Sequence, residues 1–274
     1  MEAERPHVSR VRSRDGTEIG YWTSGTGPPV VFVHGTTADH TSWRMMLPYL
    51  ESHLTVHAVD RRGRGASGDA ADYHLEREFE DVAAVVDTVA EASGSRVGLF
   101  GHSFGAVCAL GAAALSSAVV GGMVLYEPYL EPDEAASPPG LAERLEALVA
   151  AGDDEAALET FYREVLGLSE EELDGFRAQP SWGPRAAAAY TIAREIRAEA
   201  SGPFDPERTA RIAAPTLLVL GGDSPSFVAG DTRRVAAALP DANVVVLEGQ
   251  EHLAHYTIPD ILAEHVIAFL RSRL

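Results

Sequence analysis

The stretch Arg96-Val97-Gly98-Leu99-Phe100-Gly101-His102-Ser103-Phe104-Gly105-Ala106-Val107-Cys108-Ala109-Leu110 decides how this chain is built. Its first part is a short apolar run that reads as a buried strand. Gly-His-Ser-Phe-Gly follows, and then an Ala-rich run of helical character. Strand, sharp turn and helix are the context in which a G-x-S-x-G pentapeptide presents its serine as a nucleophile. Gly101 and Gly105 lack a Cβ, so strand and helix can approach closely, and the turn holds Ser103 in strained backbone geometry. The serine then stands above the sheet edge. The helix N-terminus behind it offers unpaired N–H groups and a partial positive charge to an oxyanion.

Working outward, the flanks alternate strand and helix. Val8 to Arg14 and Glu18 to Ser24 read as two strands joined at Asp15-Gly16, a hairpin signal. Val30 to Val33 is a buried strand ending in His34-Gly35-Thr36-Thr37, with a helix around Trp43 to Leu50. Leu54 to Val59 is the next strand and runs into Asp60-Arg61-Arg62-Gly63-Arg64-Gly65. Phe79, Val82, Val85, Val86 and Val89 recur at helical spacing before the elbow strand. Val119 to Tyr126 is the strand after the elbow helix. From Val97 to Tyr126 no Asp, Glu, Lys or Arg occurs, long enough for a membrane span. The glycines, the Ser-Ser pair and the elbow parse it instead as a buried βαβ unit. The pattern is an α/β domain with a mostly parallel sheet.

Beyond Pro128 the character changes. Glu131 to Gly140 is linker-like, and Leu141 to about Glu199 is rich in Ala, Glu and Leu without a strand pattern, predicting three or four amphipathic helices. The sheet pattern then returns: strand Thr216 to Leu220, helix Thr232 to Leu239, strand Val244 to Leu247 and helix Ile261 to Leu270. The expected division is a core of residues 1–127 and 206–274 with an inserted helical cap of residues 128–205.

Composition narrows the function. The chain has 274 residues, 46% apolar and 23% charged, which suits one large domain with an inserted subdomain. Its net charge of −19 argues against binding to nucleic acid or anionic membranes. Cys108 is the one cysteine, so no internal disulfide forms; on the elbow helix it reads as a small buried apolar residue. All 22 basic residues are arginine, which removes Schiff-base aldolases, pyridoxal-phosphate enzymes and P-loop NTPases, each of which needs a lysine. Met1 to Pro6 lacks the apolar core of a signal peptide, and the expected location is the cytoplasm.

A serine hydroxyl needs a base, and the base needs a carboxylate to fix its tautomer. His252 follows the last strand, in Glu248-Gly249-Gln250-Glu251-His252, and is the base candidate. His255 lies three residues on, but no carboxylate or cysteine cluster completes a metal site there, and neither metal nor cofactor is expected. One oxyanion donor is the N–H of Phe104, the residue after the nucleophile.

Taken together, His34-Gly35, Asp60 with its Gly-rich loop, Gly101-His102-Ser103-Phe104-Gly105 and His252 resemble, in order and spacing, the α/β-hydrolase fold superfamily. The resemblance covers almost the whole chain, although the cap carries no family motif. It implies an eight-stranded sheet flanked by helices, a Ser–acid–His triad and a helical cap over the site. It also implies the N–H of Thr36 as second oxyanion donor. In most relatives the acid follows the seventh strand as Gly, two residues, Asp. Here that slot holds Ser224, and Asp223 falls one position early. The other acid site of the superfamily, the end of the sixth strand, holds Glu127, in register. An acid closing a buried strand calls for a partner, so Glu127 is preferred over Asp223. His34, Gly35, Trp43, Tyr129 and Trp182 are expected around the substrate, with Phe104 a further aromatic candidate; His34 has an alternative structural role beside the oxyanion loop. His102 is expected to shape the elbow. Arg61, Arg62 and Arg64 read as loop-fixing partners of nearby acids such as Asp60 and Asp69, or as a clamp for a substrate carboxylate. Glu170-Glu171-Glu172 reads as a solvated helix face.

The expected activity is hydrolysis of a small to medium apolar ester, lactone or thioester through an acyl-enzyme on Ser103. Aspartate-nucleophile dehalogenases and epoxide hydrolases are excluded by the serine, and lysine-dependent hydroxynitrile lyases by the absence of lysine. Perhydrolase, cyclase, transferase and carbon–carbon hydrolase chemistry stay open, as does a non-catalytic ligand receptor on the same scaffold. The expected partner is a small acyl substrate, and the chain is expected as monomer or homodimer.

Overall fold

Eight strands form a single sheet in a computed structural model that describes residues 7–130, 138–202 and 204–274. The first six residues, most of the linker-like run and Pro203 lie outside the described residues. Strands β1 (His7–Arg12) and β2 (Glu18–Gly25) form the antiparallel hairpin around Asp15-Gly16. The others are β3 (Pro29–Val33), β4 (Thr55–Val59), β5 (Val97–His102), β6 (Val120–Tyr126), β7 (Thr216–Gly221) and β8 (Ala242–Leu247). The order across the sheet is β1-β2-β4-β3-β5-β6-β7-β8, and pairing from β4 through β8 is parallel. Strands β3, β5, β6 and β7 are buried at every position. They are covered on both faces, which is why they read as continuous apolar runs.

On one face pack α2 (Leu75–Ser93) and α3 (Phe104–Leu115), whose valines and alanines meet Val31, Leu99 and Leu125. On the other face a 3₁₀ turn at His40–Met45, α1 (Leu47–Leu50) and the later α12 (Pro259–Leu270) enclose Phe32, Phe100 and Val124. The charge-free run from Val97 to Tyr126 is β5, α3 and β6, and among the described residues no helix is long and apolar enough to cross a membrane.

Among the described residues, the segment from Leu141 to Ser201 forms five helices rather than three or four: α4 (Leu141–Ala150), α5 (Asp154–Glu164), α6 (Glu170–Arg177), α7 (Trp182–Ala187) and α8 (Tyr190–Ser201). Local caps make the extra breaks. Asp153 accepts from Ala156 N–H, and Ser169 with Glu172 forms a reciprocal capping box. The three glutamates Glu170–Glu172 are therefore the first turn of α6, where acidic groups suit the helix dipole, and Glu170 also pairs with Arg163. These helices have their own apolar core, including Leu145, Leu158, Tyr162, Phe176 and Ile192. Short α9 (Pro206–Thr209), then α10 (Ser226–Ala238) after β7, and α11 (Ala254–Thr257) after β8 complete the chain. Helix α10 starts six residues before its predicted start at Thr232, because the run from Ser226 is polar or small on its outer face while Val228 is buried.

Candidate active site

Three parallel-strand ends build the site. Gly101 and His102 of β5 pair with Leu125 and Tyr126 of β6, and Tyr126 pairs with Val219 of β7. The residues immediately beyond, Ser103 and Glu127, are tethered to the neighbouring strands: Ser103 N–H donates to Tyr126 O at 2.9 Å, and Glu127 N–H to Val219 O at 3.0 Å. Both have left-handed backbone, φ 56° at Ser103 and 46° at Glu127. Such strain persists only where the surroundings impose it. At the elbow they do: a Cβ on Gly105 would lie 2.3 Å from Val33 O, and one on Gly101 would lie 2.6 Å from the Ala106 Cα. The α3 N-terminus starts at Phe104, directly after Ser103.

His252 Nδ1 lies 2.6 Å from Glu127 Oε2. The other oxygen, Oε1, accepts from Gly221 N–H at 2.7 Å and from the Ser224 hydroxyl at 2.6 Å. The carboxylate is fully buried while His252 is 22% exposed. Ser224, next to Asp223 just after β7, thus serves as a hydrogen-bond donor to the Glu127 carboxylate just beyond β6. Of the two candidate carboxylates, Glu127 is the one placed on His252, whereas Asp223 is exposed and its N–H is directed to Gln250 O.

Two residues hold the His252 loop from below. His102 Nε2 donates to His252 O at 2.9 Å, which assigns its proton, since a carbonyl can only accept. The Tyr126 hydroxyl donates to Glu251 O and accepts from Ala254 N–H. Burial, with the nearby His252 and His255, pushes the His102 pKa well down; burial does the same to His255. Both rings pack as neutral groups, each 4.5 Å from a neighbour: His102 to His252 and His102 to His255. Tyr126 carried no signal in the sequence beyond its place at a strand end.

Several predicted pocket residues lie elsewhere. Trp43 is fully buried under the site, against Phe32 and Phe100, because the 3₁₀ turn points it into the sheet-face core. Trp182 packs on Tyr162 inside the helical segment. His34 is buried, its Nδ1 on Gly35 O at 2.8 Å and its Nε2 accepting Arg61 N–H at 3.1 Å, so it ties two loops together. Phe104 lies beneath the Arg61 guanidinium at 4.3 Å. Thr36, Gly35 and Tyr129 do line the cavity, as do Ser103 and His252. Residues that sequence reasoning missed are Phe161, Leu166, Ile196, Glu199 and Phe227 on its apolar side, and Arg185 and Tyr256 on its inner side. Most of them lie in the helical segment, which has no motif, and Phe227 and Tyr256 sit on helices without a motif of their own. The two lobes measure about 100 and about 40 Å³. Glu199 is buried against the apolar lobe, and desolvation, reinforced by the charges of Glu195 and Asp231, raises its pKa well above the carboxylate range.

The arginines of the Gly-rich loop face away from this cavity. Arg61 binds Glu78 and Glu195, Arg62 binds Asp81 and Asp15, and Arg64 binds Glu195. The expected partners Asp60 and Asp69 are engaged otherwise. Asp60 accepts from His40 and from Trp22 Nε1, and Asp69 pairs with Arg194. Among the described residues no group of three or more His, Cys, Asp or Glu side chains is placed to hold a metal ion.

Comparison with known proteins places the chain among hydrolases. It is 26% identical over 90% of its length, and 89% of the relative's, to a 2-(acetamidomethylene)succinate hydrolase of Mesorhizobium japonicum. It is 28% identical to the pimeloyl-[acyl-carrier protein] methyl ester esterase of Methylococcus capsulatus, covering 92% of this chain and 87% of that one. An α/β hydrolase of Sphaerobacter thermophilus superposes with a TM-score of 0.81 at 34% identity, over 96% of this chain and 100% of the other. The family model described as "Alpha/beta hydrolase family" matches residues 30–265, and the chain belongs to that family.

Proposed function

We propose that the protein is a serine hydrolase that forms an acyl-enzyme on Ser103, with a small to medium carboxylic ester, lactone or thioester as substrate and the helices of residues 128–205 as its cap. The observation that carries this reading is the 2.6 Å contact between His252 Nδ1 and the buried Glu127 carboxylate, beside the cavity that Ser103 lines. A proton on Nδ1, held by Glu127, leaves the Nε2 lone pair free as base. Ser103 Oγ then bonds to the acyl carbon as its proton passes to His252. The tetrahedral oxyanion is held by the N–H groups of Thr36 and Phe104. His252 gives the proton to the leaving group, the acyl–leaving group bond breaks, and water, deprotonated by His252, releases the acid. The small volume of both lobes supports a short acyl group.

A fluorophosphonate probe followed by intact mass tests this, with short-chain p-nitrophenyl ester turnover beside it. Labelling is expected in wild type and in Asp223→Asn, and none in Ser103→Ala. Glu127→Gln is expected to lower kcat by about 10⁴-fold. Unlabelled, well-folded wild type without turnover would overturn the reading in favour of a ligand receptor.

A further inference from the structure

Four arginines among the described residues are buried: Arg61, Arg62, Arg64 and Arg185. The first three each have a carboxylate within 4 Å. Arg185 has none among the described residues. Its Nη1 donates to the Tyr162 hydroxyl at 2.9 Å, and its Nη2 to the hydroxyls of Tyr256 at 2.8 Å and Ser42 at 3.3 Å. Its Nε has no acceptor; such an unfilled N–H also occurs on Arg61 and Arg64, so the missing carboxylate is what sets Arg185 apart. The acidic group that acts on it electrostatically, Asp39, spends an oxygen on the Thr41 N–H and hydroxyl. A second cation, Arg44, stands 5.1 Å from the centre of the Tyr256 ring, and its side chain donates to Gln179 and to a backbone carbonyl. In a chain of net charge −19, an acid for Arg185 was readily available and is not used.

A buried, permanently charged guanidinium held only by neutral hydroxyls is costly unless an anion arrives to complete it. Arg185 lines the inner lobe of about 40 Å³, which Gly35, Thr36, Ser103 and His252 also line. That volume suits a terminal anionic group rather than a chain, while the larger lobe, walled by Phe161, Leu166, Ile196 and Phe227, suits an aliphatic or aromatic remainder. We infer that Arg185 receives a carboxylate carried by the substrate, so that the substrate class is acyl compounds with a second, anionic end, half-esters of short dicarboxylic acids being the simplest. This rests on Ser103 as the nucleophile.

The test pairs mono-p-nitrophenyl adipate with the isosteric neutral p-nitrophenyl 6-methylheptanoate, corrected for spontaneous hydrolysis. Wild type is expected to favour the adipate in kcat/KM by at least about tenfold, the worth of a charge-assisted contact. Arg185→Gln is expected to lower the ratio of the two kcat/KM values by about tenfold or more, and Arg185→Lys to restore part of it. A wild type without preference, or an Arg185→Gln that slows both esters alike, would make Arg185 a strut between cap and core and overturn the inference. A binding arm separates this from the hydrolase reading. Calorimetry of adipate and of neutral adipamide with Ser103→Ala is expected to show binding of adipate alone, lost in the Ser103→Ala, Arg185→Gln double variant. Adipate binding with neither ester turned over and no probe labelling would sink the hydrolase reading and keep the carboxylate site. Turnover of both esters without preference, and no adipate binding, would do the reverse.

Discussion

The molecule buries arginine in two places and treats the charge in opposite ways. Beneath the Gly-rich loop, Arg61, Arg62 and Arg64 are matched by Glu78, Glu195, Asp81 and Asp15, and the Tyr73 hydroxyl donates to Glu78. Burial opposes both charges, but attraction to Glu195 and Glu78 pushes the Arg61 pKa up, and the Arg61 guanidinium in turn lowers that of Glu78. In this cluster each arginine has a carboxylate partner, two of the acids coming from α2 and one from α8, so it ties α8 to the helix on the sheet. In the lobe that Ser103 also lines, Arg185 is surrounded by hydroxyls and rings. The first arrangement is complete without a ligand. The second has an electrostatic demand left over, and its position gives that demand a direction, toward the cavity.

The largest expected effect tests this contrast on stability. Arg61→Met leaves Glu78 and Glu195 buried with one cation fewer and should cost about 3–5 kcal/mol in urea unfolding. Arg185→Met removes a charge with no carboxylate within 4 Å among the described residues and should change stability by less than about 1 kcal/mol. Equal losses in both variants would break the comparison.

Acidification sharpens it from another side. Arginine cannot discharge, but a buried histidine can, and His34, His102 and His255 are all held well below their usual range by burial. His57 is lowered from 6.5 to about 4, again by burial first. With a folded pKa below the unfolded one, the unfolded chain takes up the proton first. Stability is therefore present above about pH 6.5 and is lost as pH falls toward 4. His57→Gln should flatten that loss by up to about 3 kcal/mol, read as the melting temperature against pH. An unchanged acid limb would contradict a half-buried His57 that is held neutral by desolvation.

The smallest effect concerns the buried anion that faces the site. Glu127 is satisfied by His252, Gly221 N–H and the Ser224 hydroxyl. Ser224→Ala removes one neutral donor, worth about 1 kcal/mol, and should lower kcat about fivefold with little change in KM. A loss as large as that of Glu127→Gln would mean that Ser224 does more than orient the carboxylate.

Much of this was legible in the residues. The elbow, the buried βαβ unit and the return of the sheet after the helical segment follow from apolar runs and turn residues, whose signal is local. The aromatic candidates show where local signals end. Trp43 and Trp182 are large apolar side chains, and the same character that suits a pocket wall suits a core, where both reside. The loop arginines were expected to pair with Asp60 and Asp69 because those are near in sequence. Their acids lie instead on α2, on α8 and in the hairpin turn, near only in space.

The sequence by itself determined the strand–turn–helix at Ser103, the alternation that makes a parallel sheet, and the short list of histidines and acids able to work together. Only the tertiary structure decided between Glu127 and Asp223 as the carboxylate on His252, since one residue at a strand end reverses which way a side chain points. It alone decided that Ser224 donates to that carboxylate and that Arg185 lines the lobe beside Ser103 without a carboxylate within 4 Å among the described residues. Spacing along the chain carries periodicity, whereas charge compensation depends on which strand ends and helix faces are brought within a few ångströms.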